Sequence, residues 1–127
     1  VAGRLAAVDA DATGRWLAER QTPSGGFNGR PQKLPDVCYS WWRCASLALL
    51  GRLAWVDANA LTAFILAAQD PAIGGIADRP DDAADVYHTF FGVAALSLLG
   101  KEGLARVDPA FALPAAALDR TRVKERF

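Results

Sequence analysis

Apolar residues recur at spacings of three and four along much of the chain, as in Leu61, Phe64, Ile65 and Ala68; this is the period of a helix with one buried face. Two stretches are apolar on nearly every side. One runs from about Asp36 to Leu50, with Trp41, Trp42 and Leu47, and the other from about Asp85 to Leu99, with Phe90, Phe91 and Leu96. Helices of that kind sit inside a fold. Two more polar stretches precede them, from Asp9 or Asp11 to about Arg20 and from Asp57 to about Gln69. These predict outer helices, each opened by an aspartate that accepts hydrogen bonds from free first-turn amides. Thr22-Pro23-Ser24-Gly25-Gly26 and Pro71-Ala72-Ile73-Gly74-Gly75 separate outer from inner helix, and Gly51 ends the first inner one. Ala supplies 26 of the 127 residues and Thr-Val-Ile alternation is scarce, so the class is all-α.

The same order of elements occurs twice. Residues 25–51 align with residues 74–100 at a shift of 49, and eleven of the 27 pairs are identical, among them Arg30/Arg79, Pro31/Pro80 and Asp36/Asp85. A shift of 48 continues the match upstream, pairing Gly3-Arg4-Leu5 with Gly51-Arg52-Leu53 and Gln21 with Gln69. The units run from about 3 to 50 and 51 to 99, and a partial third, decayed between Pro109 and Pro114, starts at 100. Alternating outer and inner helices build an α/α solenoid, or a ring where it closes. Two units and part of a third fall short of the three that such arrays usually need, so residues 1–127 read as an incomplete piece of one domain.

Composition narrows the function. Fourteen basic side chains balance 14 acidic ones, which argues against a partner held by phosphate neutralisation, nucleic acid included. No apolar run is long enough for a membrane span, and no basic-then-apolar leader opens the sequence. Two cysteines, Cys38 and Cys44, are too few for a disulfide scaffold, and the expected compartment is the cytoplasm.

Three side chains stand out for chemistry. Asp36, Cys38 and the single histidine, His88, lie within one residue of matching places in the two units. Neighbouring inner helices would present them at the same level. Carboxylate, thiolate and imidazole are zinc ligands, and three protein ligands with one open position describe a catalytic zinc. Residues two apart on a helix point to different sides, so the set works only if Asp36 stands at the helix cap, a boundary that Pro35 favours. The plainer alternative makes Asp36 a cap, Cys38 a small core residue and His88 a buried histidine. Arg30, Lys33 and Tyr39 gather at the same helix start, where amides and the helix dipole welcome an anion such as a diphosphate. Asp78, Asp81 and Asp82 form an acidic loop able to hold Mg²⁺ against phosphate oxygens. Trp41, Trp42, Phe90 and Phe91 suit either an apolar cavity or ordinary core. Trp16, Trp55, Phe64 and Phe111 are expected between layers, and Cys44 is expected to be structural.

Residues 25–42, from Gly25-Gly26-Phe27 through Asp36-Val37-Cys38-Tyr39-Ser40-Trp41-Trp42, closely resemble the first zinc segment of protein prenyltransferase β subunits. Gly74-Gly75-Ile76-Ala77-Asp78-Arg79-Pro80 and Asp85-Val86-Tyr87-His88-Thr89-Phe90-Phe91-Gly92 resemble the second. The resemblance covers the chain from about Gly3 to about Leu118 and only the C-terminal part of a family β subunit; its type II, Rab geranylgeranyl branch is the most similar. It implies an α/α toroid around an apolar cavity. It places Asp36, Cys38 and His88 on the zinc ligands, Arg30, Lys33 and Tyr39 on the lipid diphosphate, with Lys33 and Tyr39 taking part in catalysis, and Trp42 and Phe91 on the lipid pocket. Asp78 falls on the carboxylate that serves Mg²⁺ in the farnesyl enzyme, where the type I geranylgeranyl enzyme has lysine. The implied reaction attaches geranylgeranyl, from its diphosphate, to C-terminal cysteines of Rab GTPases presented by an escort protein, with an α subunit completing the enzyme. The alternatives are a farnesyl-type transferase and a non-catalytic α/α interaction module. A terpene cyclase would need an Asp-x-Asp-Asp string, which the sequence lacks.

Overall fold

The computed structural model describes residues 4–121; the start of the first unit at Gly3 lies outside them. Helices α1 (Ala10–Ala18), α2 (Val37–Leu49), α3 (Ala58–Ala67) and α4 (Val86–Leu98) fall where the hydrophobic pattern puts them. Each begins at the expected aspartate. Asp9 Oδ1 accepts the amides of Asp11 and Ala12 at 3.1 and 2.9 Å. Asp57 Oδ1 accepts that of Ala60 at 2.9 Å. Asp36 and Asp85 cap α2 and α4 from extended backbone, with φ of −148° and −141°. Asp36 therefore stands outside its helix, as the ligand set required.

Helices α2 and α4 pack side by side as the inner pair, with α1 against α2, and α3 against both inner helices. Their contact is close because α4 carries Gly92 where it meets Ile76 and Val37. Phe27, Val37, Trp41, Cys44, Leu61, Phe64, Ile65, Ile76, Ala95 and Leu96 fill the core between the layers. The loop between α1 and α2 is sewn in by backbone bonds, among them Asp36 N–H to Phe27 O at 3.0 Å. Gln21 joins the units: its amide donates to the carbonyls of Gly25 and Asp57, both at 2.9 Å, and accepts the Asp57 N–H at 3.0 Å. Ile76 bridges Asp85 in the corresponding loop of the second unit.

Three expectations need correction. The inner helices are not buried all round: Val86, Tyr87, Phe90 and Val93 of α4 are exposed, Val86 at 88%, because no further layer covers that side among the described residues. Trp16 and Trp55 are half-exposed rather than sandwiched between layers. Each has an arginine over its ring instead, Arg43 at 4.7 Å from Trp16 and Arg52 at 5.4 Å from Trp55. The third unit holds a short antiparallel ladder, β1 (Val107–Asp108) with β2 (Leu113–Pro114), before α5 (Ala115–Thr121). Two-residue strands are below what residue alternation can signal.

Candidate metal centre and anion cavity

Asp36, Cys38 and His88 converge. One ligand atom from each lies within 4.8 Å of the others, and among the described residues they are the one cluster of three metal-ligating side chains. The helix starts do the positioning. Capping by Asp36 Oδ1, which accepts the Cys38 amide at 2.8 Å, turns that carboxylate back over the first turn of α2, where Cys38 sits. Across the α2–α4 contact, His88 Nε2 lies 3.3 Å from Asp36 Oδ1.

Asp85 orients the imidazole. Its Oδ1 caps α4 by accepting the His88 amide at 2.9 Å, and its Oδ2 lies 2.6 Å from His88 Nδ1. With Nδ1 engaged, Nε2 is the nitrogen that faces Asp36, and a carboxylate behind a ligand histidine fixes the ring and its tautomer. Those bonds to the His88 backbone and ring hold the Asp85 carboxyl below its usual range. The Cys38 thiol moves the other way. Burial first, then the hydrogen bond and negative charge of Asp36, push it up to about 12. The donor set suits zinc: bonds of about 2.0–2.3 Å hold tetrahedral ligand atoms roughly 3.3–3.8 Å apart, within reach of small side-chain rotations from the observed spacing.

A cavity of about 680 Å³ opens beside this cluster and shares Asp36 with it. Arg30, Lys33 and Tyr39 line it, with Gly29, Gln32 and Leu34, so the three residues expected at a diphosphate do stand together. Gly29 is required: a Cβ there would lie 2.3 Å from Cζ and Oη of Tyr39. A fourth polar wall, Arg79, was missed as a site residue. The repeat register paired it with Arg30, and two equivalent arginines converging on one space was the available signal.

Asp78 does not line this cavity; Arg79 does. The Asp78 carboxylate accepts from Arg79 Nη2 at 2.6 Å and Nε at 3.1 Å, and Asp82 approaches Nε at 3.4 Å. Burial opposes ionisation of Asp78, but the Arg79 hydrogen bond and charge outweigh it and hold the carboxyl low. Asp81 is exposed, with a left-handed backbone (φ 73°). The expected Mg²⁺ ligand thus holds a guanidinium on one of its oxygens, Oδ2.

The aromatic residues divide. Trp41 is core, whereas Trp42 is half-exposed and tilts against Phe91 with ring centres 4.7 Å apart. Tyr87 and Phe90 meet Phe91 edge-on at 4.9 and 5.0 Å. The expected lipid residues Trp42 and Phe91 therefore form one apolar patch, which continues through Tyr87 to His88, 5.1 Å from the Tyr87 ring. Cys44 is buried, and both cysteines are free thiols.

The arrangement has relatives. The family model for the prenyltransferase alpha-alpha toroid domain matches residues 1–113. Geranylgeranyl transferase type-2 subunit beta 1 of Arabidopsis thaliana is 53% identical over 120 residues, which is 94% of this chain and 37% of the relative. Geranylgeranyl transferase type-2 subunit beta of Saccharomyces cerevisiae is 65% identical over 57 residues, or 45% of this chain and 18% of the relative. Candida albicans protein geranylgeranyltransferase-I complexed with GGPP superposes with a TM-score of 0.82 at 28% identity, covering 92% of this chain and 38% of that one. The chain thus spans little more than a third of the Arabidopsis relative and less than a fifth of the Saccharomyces one.

Proposed function

Because the chain belongs to the prenyltransferase alpha-alpha toroid family, we propose that it is the zinc-holding part of a type II protein geranylgeranyltransferase β subunit. The observation that carries this reading is the shared Asp36, which joins a cluster of three zinc-type ligands to a cavity walled by Arg30, Lys33, Arg79 and Tyr39. A sulfur nucleophile and a diphosphate leaving group need that adjacency. The substrate class follows the similarity to type-2 β subunits: geranylgeranyl diphosphate as donor and a Rab GTPase cysteine, brought by an escort protein, as acceptor. An α subunit is the expected partner.

Asp36, Cys38 and His88 would hold the zinc, which when bound supplies an open position where the acceptor cysteine is kept as thiolate. The chain's own groups do the rest. Asp85 holds the Nδ1 proton and keeps His88 Nε2 aimed at Asp36. Arg30, Lys33 and Arg79 balance the negative charge that grows on the diphosphate as its bond to the isoprenoid C1 breaks, and Tyr39 offers a hydroxyl donor. Trp42, Phe91 and Tyr87 give the isoprenoid an apolar surface beside the cluster. No step is assigned to magnesium.

The test is zinc content together with transfer of labelled geranylgeranyl to a Rab protein, measured on the complete enzyme. Cys38→Ala and His88→Ala should each lose stoichiometric zinc and transfer. Full zinc in both variants overturns the reading, and zinc binding without transfer returns the chain to a non-catalytic role.

A further inference from the structure

Building on that reading, we propose that Arg43 is a positioning residue for the diphosphate cavity: its guanidinium ties the 28–33 loop to Tyr39 and so sets where Arg30 and Lys33 present their charges. Arg43 sits in the middle of α2 between Trp42 and Cys44 and is only 9% exposed. A buried guanidinium is costly unless its donors find partners. No carboxylate pairs with it among the described residues; the partners are backbone carbonyls and rings. Nη2 donates to Gly29 O at 2.5 Å and lies 3.4 Å from Asn28 O. The guanidinium carbon lies 4.7 Å from the Trp16 ring centre and 5.6 Å from that of Tyr39.

These contacts join the two sources of the cavity wall. Tyr39 comes from α2, one turn before Arg43, while Gly29, Arg30 and Lys33 come from the loop. The loop is closed on itself by Asn28 Nδ2 donating to Lys33 O at 3.2 Å, so an anchor at residues 28 and 29 carries through to Lys33. Gly29 abuts the end of the Tyr39 phenol, and a Cβ there would overlap it. Arg43 itself reaches neither the cavity nor the metal ligands, so its influence on an anion passes through the groups it holds. The Arg43 Nε is buried with no hydrogen-bond partner, so an apolar residue of similar length removes the carbonyl anchor and the charge over the Trp16 and Tyr39 rings.

Arg43→Met in the complete enzyme tests this, with inorganic pyrophosphate and geranylgeranyl diphosphate titrated separately and zinc content and melting temperature recorded alongside. The expected result is about a ten-fold weaker affinity for both anions, the scale of losing a charged hydrogen bond, with zinc stoichiometry unchanged. Arg43→Lys, which keeps the charge and can reach one carbonyl, should fall between. Should Arg43→Met fail to fold, Gly29→Ala separates loop and phenol from the other side and should give the same loss. Affinity within two-fold of wild type in a folded Arg43→Met, or in Gly29→Ala where that variant replaces it, overturns the proposal. Absence of anion binding by the wild-type enzyme overturns instead the functional reading beneath it.

Discussion

At the scale of single residues, the electrostatics of the candidate centre rest on two aspartates that each do two jobs. Asp85 caps α4 and holds the His88 ring, so Asp85→Ala should loosen the imidazole while α4 keeps its packing. Zinc affinity, read by chelator competition, should fall about 10–100-fold, the usual cost of removing such a carboxylate. Burial, with Asp36 adding to it, pushes the Cys38 thiol up to about 12 without a metal. Loading a cation must therefore expel that proton, and apparent affinity should drop about ten-fold for each unit by which pH falls near neutrality; a flat profile would mean that Cys38 does not ligate. The cationic wall makes a separate forecast. Arg79→Met should weaken pyrophosphate binding about ten-fold, and magnesium should not restore it. Of these residues, Asp36, Cys38 and His88 were legible because the repeat register put them level. Arg79 was legible only as the repeat partner of Arg30; its bonds to Asp78 and Asp82 come from a loop fold that spacing does not encode. Arg43 was silent for a related reason: an arginine inside an apolar helix reads as a surface position until its carbonyl partners are seen.

Among the elements, the decisive contact is α2 against α4. Gly92 allows it: a Cβ there would come within 2.9 Å of Ile76 and 3.2 Å of Val37. Gly92→Val should cost about 1–3 kcal/mol of stability as an overpacked core site. It should also push His88 away from Asp36 and lower zinc occupancy, both measurable on one sample by thermal melting and metal analysis. The four helices were legible to within about two residues, since each starts at an aspartate and ends near a glycine or proline break. The β1–β2 pair was not, because Ser97 helps to build it through bonds to the Ala105 carbonyl and the Val107 amide, a tertiary contact that leaves no periodic trace.

For the molecule as a whole, burial is lopsided. Leu17, Trp41, Cys44, Leu61 and Ile65 of α1, α2 and α3 lie buried in the core, whereas α4 shows Val86, Tyr87, Phe90 and Val93 to solvent. A contiguous apolar surface of this kind drives association. The isolated 127-residue chain should therefore elute above monomer size at micromolar concentration, and Val93→Glu should shift it toward monomer; a monomer in both cases would show that something else covers α4. Inner and outer layers could be told apart from the sequence, but not which side of an inner helix finds a neighbour, because hydrophobicity is the same whether a face packs or waits.

The two units carry different halves of the same apparatus. At matching places one has Cys38-Tyr39 and the other Tyr87-His88, so the thiol is contributed once and the imidazole once, across the seam where the units meet. Overwriting that pair alone in either unit with its counterpart would remove one of the three candidate ligands. Divergence between the copies at this one pair is what turns a repeated surface into a mixed donor set.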